Sequence, residues 1–126
     1  MNQEELKYHK ALQGVYKEKM GEWQWYDRWY DPEDGVDGVV LPGQLTEFRR
    51  GDFQEFIRLP LPIDPYDEGR GLLEMIKDVY SITKLDREEE MYIIGFWRGS
   101  DYDIADAPTP ALALLKALAS QEGVEV

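Results

Sequence analysis

The chain has 126 residues, of which 43% are hydrophobic, and 26 acidic residues outweigh 14 basic ones to give a formal net charge of −12. It contains no cysteine, which excludes disulfides, thiolate zinc sites and cysteine nucleophiles. Length and apolar content predict a single α+β domain over residues 1–126. Neither a signal sequence nor an apolar run of membrane length is visible, so we expect a cytoplasmic protein with no membrane partner.

Residues 2–20 have the apolar spacing of an amphipathic helix. Asn2 with Glu5 has the pattern of a capping box, and Gly21 is placed to end the helix. The only histidine, His9, is expected to face solvent on this helix. A single histidine forms neither a catalytic triad nor a multi-histidine metal site, unless an oligomer shares copies.

Residues 22–30 are dense in aromatic side chains and predict a β-strand whose side chains alternate between two faces. A turn-rich segment over 31–38 and a returning strand over 39–41 would complete a hairpin. The aromatic side chains of the first strand form the candidate binding surface. They are Trp23, Trp25, Tyr26, Trp29 and Tyr30.

Residues 44–58 fit a helix or strands, and we favour β structure there. The alternating prolines of residues 59–65 predict an extended crossing. A short helix is expected over 71–79, strands over 80–85 and 91–97, and an antiparallel return strand around Tyr102 and Ile104.

The clearest element is a C-terminal helix. Thr109 is its expected N-cap, Pro110 its first residue and Gly123 its C-cap. Its apolar stripe is typical of a core-facing helix. Together these elements predict an α+β fold in which a mainly antiparallel sheet packs with N- and C-terminal helices.

No chemical motif stands out, and we predict no catalytic residue, no metal ligand and no cofactor. Counted from Asp31, the acidic turn places Gly35 at position 5 and Pro42 at position 12, which does not match a calcium-binding loop. Asp27 and Asp31 beside aromatic rings have the residue types of a carboxylate-based hydrolase acting on sugars. We keep that enzyme as an alternative.

The strongly acidic composition bears on possible partners. A direct nucleic-acid contact needs a basic patch, and the basic residues Arg49, Arg50 and Arg58 are interleaved with acidic ones. Solubility is the simplest explanation of the acidity. The alternative is a surface that mimics DNA and inhibits a DNA-binding host protein.

The end of the chain resembles small phage and prophage proteins. The residues that carry this resemblance are Tyr92-Ile-Ile-Gly-Phe-Trp-Arg followed by Ile104-Ala-Asp-Ala-Pro-Thr-Pro-Ala-Leu-Ala-Leu-Leu-Lys-Ala-Leu118. The phage ABA sandwich domain closes in a similar way. The resemblance implies an antiparallel sheet with helices packed on it and a mobile-element origin, and no catalytic residues come with it.

Our first hypothesis is a small acidic accessory protein of phage or prophage type that acts by binding a protein or a ligand, without catalysis. The aromatic segment is the surface to test first. We expect a protein partner, and we also predict a homodimer.

Overall fold

The structure is a computed structural model that describes residues 3–31, 35–50, 59–60, 72–86 and 90–126. Within these ranges the chain forms helices and two antiparallel sheets, which confirms the predicted α+β class. The helices are α1 (Gln3–Ala11), α2 (Gln13–Met20), α3 (Leu45–Arg50), α4 (Leu72–Met75) and α5 (Pro110–Glu122). The strands are β1 (Arg28–Asp31), β2 (Val36–Val39), β3 (Leu59–Pro60), β4 (Val79–Asp86), β5 (Glu90–Arg98) and β6 (Asp101–Ala107).

The larger sheet has the order β4-β5-β6, and both pairings are antiparallel, as predicted. The side of this sheet that carries Ile94, Phe96 and Ala105 packs against α5. Because Leu115 and Leu118 of α5 are fully buried, the predicted apolar stripe is core rather than partner surface. Leu12 between α1 and α2, Tyr16 of α2, and Leu72 and Met75 of α4 complete the same cluster.

Both predicted caps of α5 are present. The Thr109 side chain accepts a hydrogen bond from the amide of Leu112 at 3.2 Å, and Pro110 is the first helical residue. Gly123 has φ +66° and ψ 32°, the left-handed conformation that ends many helices and that glycine adopts without strain.

Thr109 also ties the two ends of the chain together. Its hydroxyl donates to Glu5 Oε1 of α1 at 2.9 Å while its oxygen caps α5. Glu5 therefore contacts the last helix, and its predicted capping partner Asn2 lies outside the described residues.

Replacing Thr109 by alanine removes both hydrogen bonds, and we expect a loss of about 1–2 kcal/mol in the free energy of unfolding. Thr109→Ser keeps the hydroxyl and should lose well under half as much. Urea unfolding of both variants measures the difference. Equal losses would show that the methyl group, and not the hydroxyl, matters at this position.

The predicted N-terminal helix is interrupted at Leu12, where φ is −90° and ψ is 6°. Leu12 is completely buried, so the break lies where the chain packs into the core. The second half, α2, ends at Gly21 as predicted, with the Gly21 amide bonded to the carbonyl of Lys17 at 3.0 Å.

The expectation that His9 faces solvent is wrong. Its side chain is 1% exposed, and Nδ1 lies 2.8 Å from the hydroxyl of Tyr16, which is also buried. Since α1 packs against α5, the face with His9 is turned inward, and the Tyr16 hydroxyl supplies the polar partner that a buried imidazole needs. Burial lowers the pKa of His9 from its usual 6.5 to about 4 and raises the pKa of Tyr16.

The pKa of His9 is lower in the folded protein than in the unfolded chain, so the unfolded chain takes up a proton first as the pH falls. The contribution of His9 to stability is therefore complete above pH 6.5 and is lost as the pH falls towards 4. The loss should reach about 3 kcal/mol. The measurement is the free energy of unfolding as a function of pH for the wild type and for His9→Gln. The variant keeps all acidic side chains of the chain and lacks only the imidazole, so the difference between the two curves reports on His9. If the two curves ran parallel between pH 4 and 6.5, His9 would not be the cause.

The smaller sheet has the order β2-β1-β3. The expected hairpin is present, but the returning strand β2 begins at Val36 rather than at residue 39. Trp29 of β1 lies opposite Gly38, and a Cβ there would stand 2.7 Å from the indole, so the glycine makes room for the ring. Of the proline-rich segment, residues 59–60 form the short strand β3, and residues 61–65 lie outside the described residues.

Two other expectations need correction. Residues 45–50 are helical rather than β, because Pro42 begins a 3₁₀ turn over Pro42–Gln44 that runs directly into α3. Residues 51–58 of the same prediction lie outside the described residues. The helix expected over 71–79 is α4 alone, since β4 already begins at Val79. None of the described helices has the length and apolarity to cross a membrane.

Candidate functional site

Residues 24–27, Gln-Trp-Tyr-Asp, form a tight turn that we call the aromatic turn. The amide of Asp27 donates to the carbonyl of Gln24 at 3.2 Å, and Tyr26, the third residue, has φ +67°. A hydrogen bond from the amide of the fourth residue to the carbonyl of the first, together with a positive φ at the third residue, is the geometry of a type II turn.

The predicted strand over 22–30 is therefore wrong in its first part. Regular strand pairing starts at Arg28, and the change of direction at residues 24–27 breaks the two-residue alternation on which the prediction relied. The turn had no sequence signature, because type II turns favour glycine or asparagine at the position that Tyr26 occupies.

A bulky side chain at positive φ is uncommon and costs free energy. Around Tyr26 the backbone is fixed by neighbours on both sides. Its amide donates to the carbonyl of Val40 at 2.7 Å, and the amide of Val40 donates to the carbonyl of Asp27 at 2.9 Å. The Asp27 side chain is 4% exposed, and its Oδ2 accepts from the amide of Gln24 at 2.8 Å. These bonds stabilise the strained turn.

The five predicted surface residues divide into two groups. Trp25 and Tyr26, at the tip of the turn, are 57% and 62% exposed. Trp23, Trp29 and Tyr30 are half-buried. The ring centroids of Trp23 and Trp29 lie 5.0 Å and 6.4 Å from that of the buried Phe48 in α3, so these two tryptophans pack under the turn and support it.

Arg49 of α3 joins the helix to the segment that precedes the turn. Its Nε donates to the carbonyl of Trp23 at 2.9 Å and lies 3.8 Å from Oε2 of Glu22. The Glu22 carboxylate therefore offsets part of the positive charge beside the two exposed rings.

A shallow, open depression of about 550 Å³ lies beside the exposed rings. Its lining combines aromatic, aliphatic and polar side chains. The lining residues are Gln24, Trp25, Tyr26, Leu45 and Arg49. Sequence reasoning missed Leu45 and Arg49, because their contribution depends on the helix that replaces the expected β structure.

The two carboxylates considered for hydrolysis are both buried, with Asp27 4% and Asp31 2% exposed. Asp27 is engaged by the backbone of the aromatic turn, which gives it a structural role. Among the described residues, no three acidic or histidine side chains come together in a group that could hold a metal ion.

A second exposed apolar surface lies on the larger sheet. Strand alternation places Trp97, Tyr102 and Ile104 on the side opposite α5, and these side chains are 41%, 48% and 56% exposed. The rings of Trp97 and Tyr102 pack edge to face at 5.4 Å. The sequence predicted both strands, but residues 91–97 are apolar on both faces, so the pattern did not show which face α5 would cover.

No family model matches this chain, and neither the curated proteins nor the solved structures include a significant match to it. The candidate site therefore depends on its own geometry.

Tyr26→Gly should raise the free energy of unfolding by about 1 kcal/mol, since glycine adopts the positive φ without a steric penalty. Tyr26→Ala is the matched control, because it removes the same exposed ring but keeps the Cβ. Chemical denaturation of the three proteins should therefore give the glycine variant as the most stable. An alanine variant at least as stable as the glycine variant would refute the strain at Tyr26.

Proposed function

We propose that this chain is a small acidic accessory protein of phage or prophage type that binds a protein partner through the aromatic turn, without catalysis. The observation that carries the proposal is the pair of exposed rings, Trp25 and Tyr26, on a backbone that is both strained and rigidly held. Strained backbone that neighbouring structure maintains is concentrated at functional sites.

The side chains at the tip suit protein recognition. Tryptophan and tyrosine are enriched among the residues that carry most of the binding energy at interfaces, together with arginine. Trp25 and Tyr26 lie beside Arg49 in the open depression. Because hydrogen bonds fix the turn before any partner arrives, little backbone entropy is lost on binding.

The charge of the chain favours a basic partner. A net charge of −12 attracts cationic surfaces at long range, and exposed Trp and Tyr faces bind lysine and arginine cations at short range. Glu22, whose side chain is 81% exposed, places a carboxylate close to Arg49 at the border of the site. We therefore propose a partner that presents arginine or lysine next to an apolar group.

The test is quantitative affinity capture from a bacterial lysate with the wild type, Trp25→Ala and Tyr26→Gly. We expect a basic protein that the wild type enriches and that both variants lose, by tenfold or more in the dissociation constant once the partner is purified. The glycine variant is decisive, because it should be more stable than the wild type and yet fail to bind.

Trp97→Ala is the matched control. Trp97 is an exposed tryptophan of the larger sheet, outside the aromatic turn, so this change removes an equivalent ring and should leave binding nearly unchanged. Capture that is equal for all variants would contradict the proposal. If moderate salt also abolished that capture, the alternative function would replace this proposal, namely an acidic surface that mimics DNA and inhibits a DNA-binding protein.

A further inference from the structure

The side of the larger sheet that faces away from α5 carries the exposed side chains of Trp97, Tyr102 and Ile104, and we call it the outer face. Its described side chains follow from the register of β4, β5 and β6. They are Ser81, Thr83, Met91, Ile93, Gly95, Trp97, Tyr102, Ile104 and Asp106. Among the described helices, α5 is the one with extensive contacts to β5 and β6, and it lies on the other side.

At the centre of the outer face the side chain of Tyr102 covers Gly95. A Cβ at Gly95 would collide with the hydroxyl of Tyr102 and with Oγ of Ser81, so the Tyr102 ring lies across the glycine and fills the space over β5. Apolar sheet faces pack on one another at about 10 Å in β-sandwiches. The filled centre fits a second sheet rather than a peptide or a small molecule, which would need a groove.

The charge distribution points to the kind of partner. Within a chain of net charge −12, the described part of the outer face carries one ionisable carboxylate, Asp106, and no lysine or arginine. A basic partner would find almost no complementary charge there. A surface equally apolar is required, and a second copy of this chain supplies one by symmetry.

The edges of the same sheet are poorly suited to association. Lys84 of β4 is in register with Tyr92 on the helix side, and a register shift interrupts β4 between Val79 and Ser81. Asp101 and Asp103 follow each other closely along β6. Edge-to-edge pairing of sheets is prevented by inward-pointing charges, irregular strand pairing and acidic side chains. We therefore expect self-association through the outer face and not through the edges.

We propose that the outer face is the interface of a symmetric homodimer, independent of the aromatic turn. Three strands of seven to nine residues present a face of about 14 by 25 Å, so two copies would bury roughly 700 Å² in total. This area is below that of stable specific interfaces, and the dimer is accordingly a weak, reversible one.

The experiment is sedimentation velocity at protein concentrations from about 1 µM to about 1 mM, which spans the range of weak association. The test variant is Ile104→Glu, and the matched control is Ile82→Glu. Both isoleucines lie on the same sheet and are 56% and 55% exposed, but Ile82 is in register with Ile94 on the helix side. Both variants add the same charge, and circular dichroism confirms that each is folded.

We expect a concentration-dependent dimer for the wild type and for Ile82→Glu, and at least a tenfold weaker one for Ile104→Glu. Raising the salt concentration should strengthen the dimer, because it screens the repulsion between two acidic copies. A wild type that stays monomeric at about 1 mM would overturn the proposal. So would a dimer that Ile104→Glu leaves intact, or one that both variants weaken equally.

Discussion

The candidate site depends on the hydrogen bond that the buried carboxylate of Asp27 accepts from the amide of Gln24. This bond closes a turn whose third residue, Tyr26, has an unfavourable backbone conformation. The Val40 backbone bonds to both Tyr26 and Asp27 and thereby attaches the turn to the end of the adjoining hairpin. Two large rings are exposed in one orientation because these groups together outweigh the strain.

Helix α3 holds the segment that precedes this turn. Phe48 and Arg49 of α3 contact Trp23 from below and from the side, so the segment before the turn is held by a helix rather than by a strand. The larger sheet and α5 form a separate apolar cluster, tied to the N-terminus through Glu5 and Thr109. The aromatic turn leads into the smaller sheet and the outer face lies on the larger one, so the two proposed interactions use separate surfaces.

The sequence predicted what local chemistry determines. Thr109, Pro110 and Gly123 specify the two ends of α5, and the apolar, aromatic run of residues 91–97 identifies the central strand of the larger sheet. Where the prediction was wrong, the deciding contact was distant or the local signature was missing. The aromatic turn lacks glycine at its third position, and His9 is buried because α1 packs against α5 and Tyr16 offers a hydroxyl.

The aromatic residues of the candidate site were predicted, but its shape and the contribution of Leu45 and Arg49 were not. All four tryptophans and tyrosines that surround Tyr26 were identified, yet alternation along a strand would have exposed Trp23 and Trp25 equally. The turn exposes Trp25 and places Trp23 on Phe48 instead. The half-buried tryptophans therefore support the turn, and the two exposed rings are the contact surface that we propose.

The most direct measurement of the central claim is amide hydrogen exchange by NMR at Tyr26 and Val40. Both amides lie in the hairpin region and donate to backbone carbonyls at 2.7 Å and 2.9 Å. A rigid turn predicts slow exchange at both positions and a strong NOE between the amide and Hα protons of Tyr26, as a positive φ requires. Fast exchange with a weak NOE would show a mobile turn, and the claim that the rings are held ready for a partner would then be wrong.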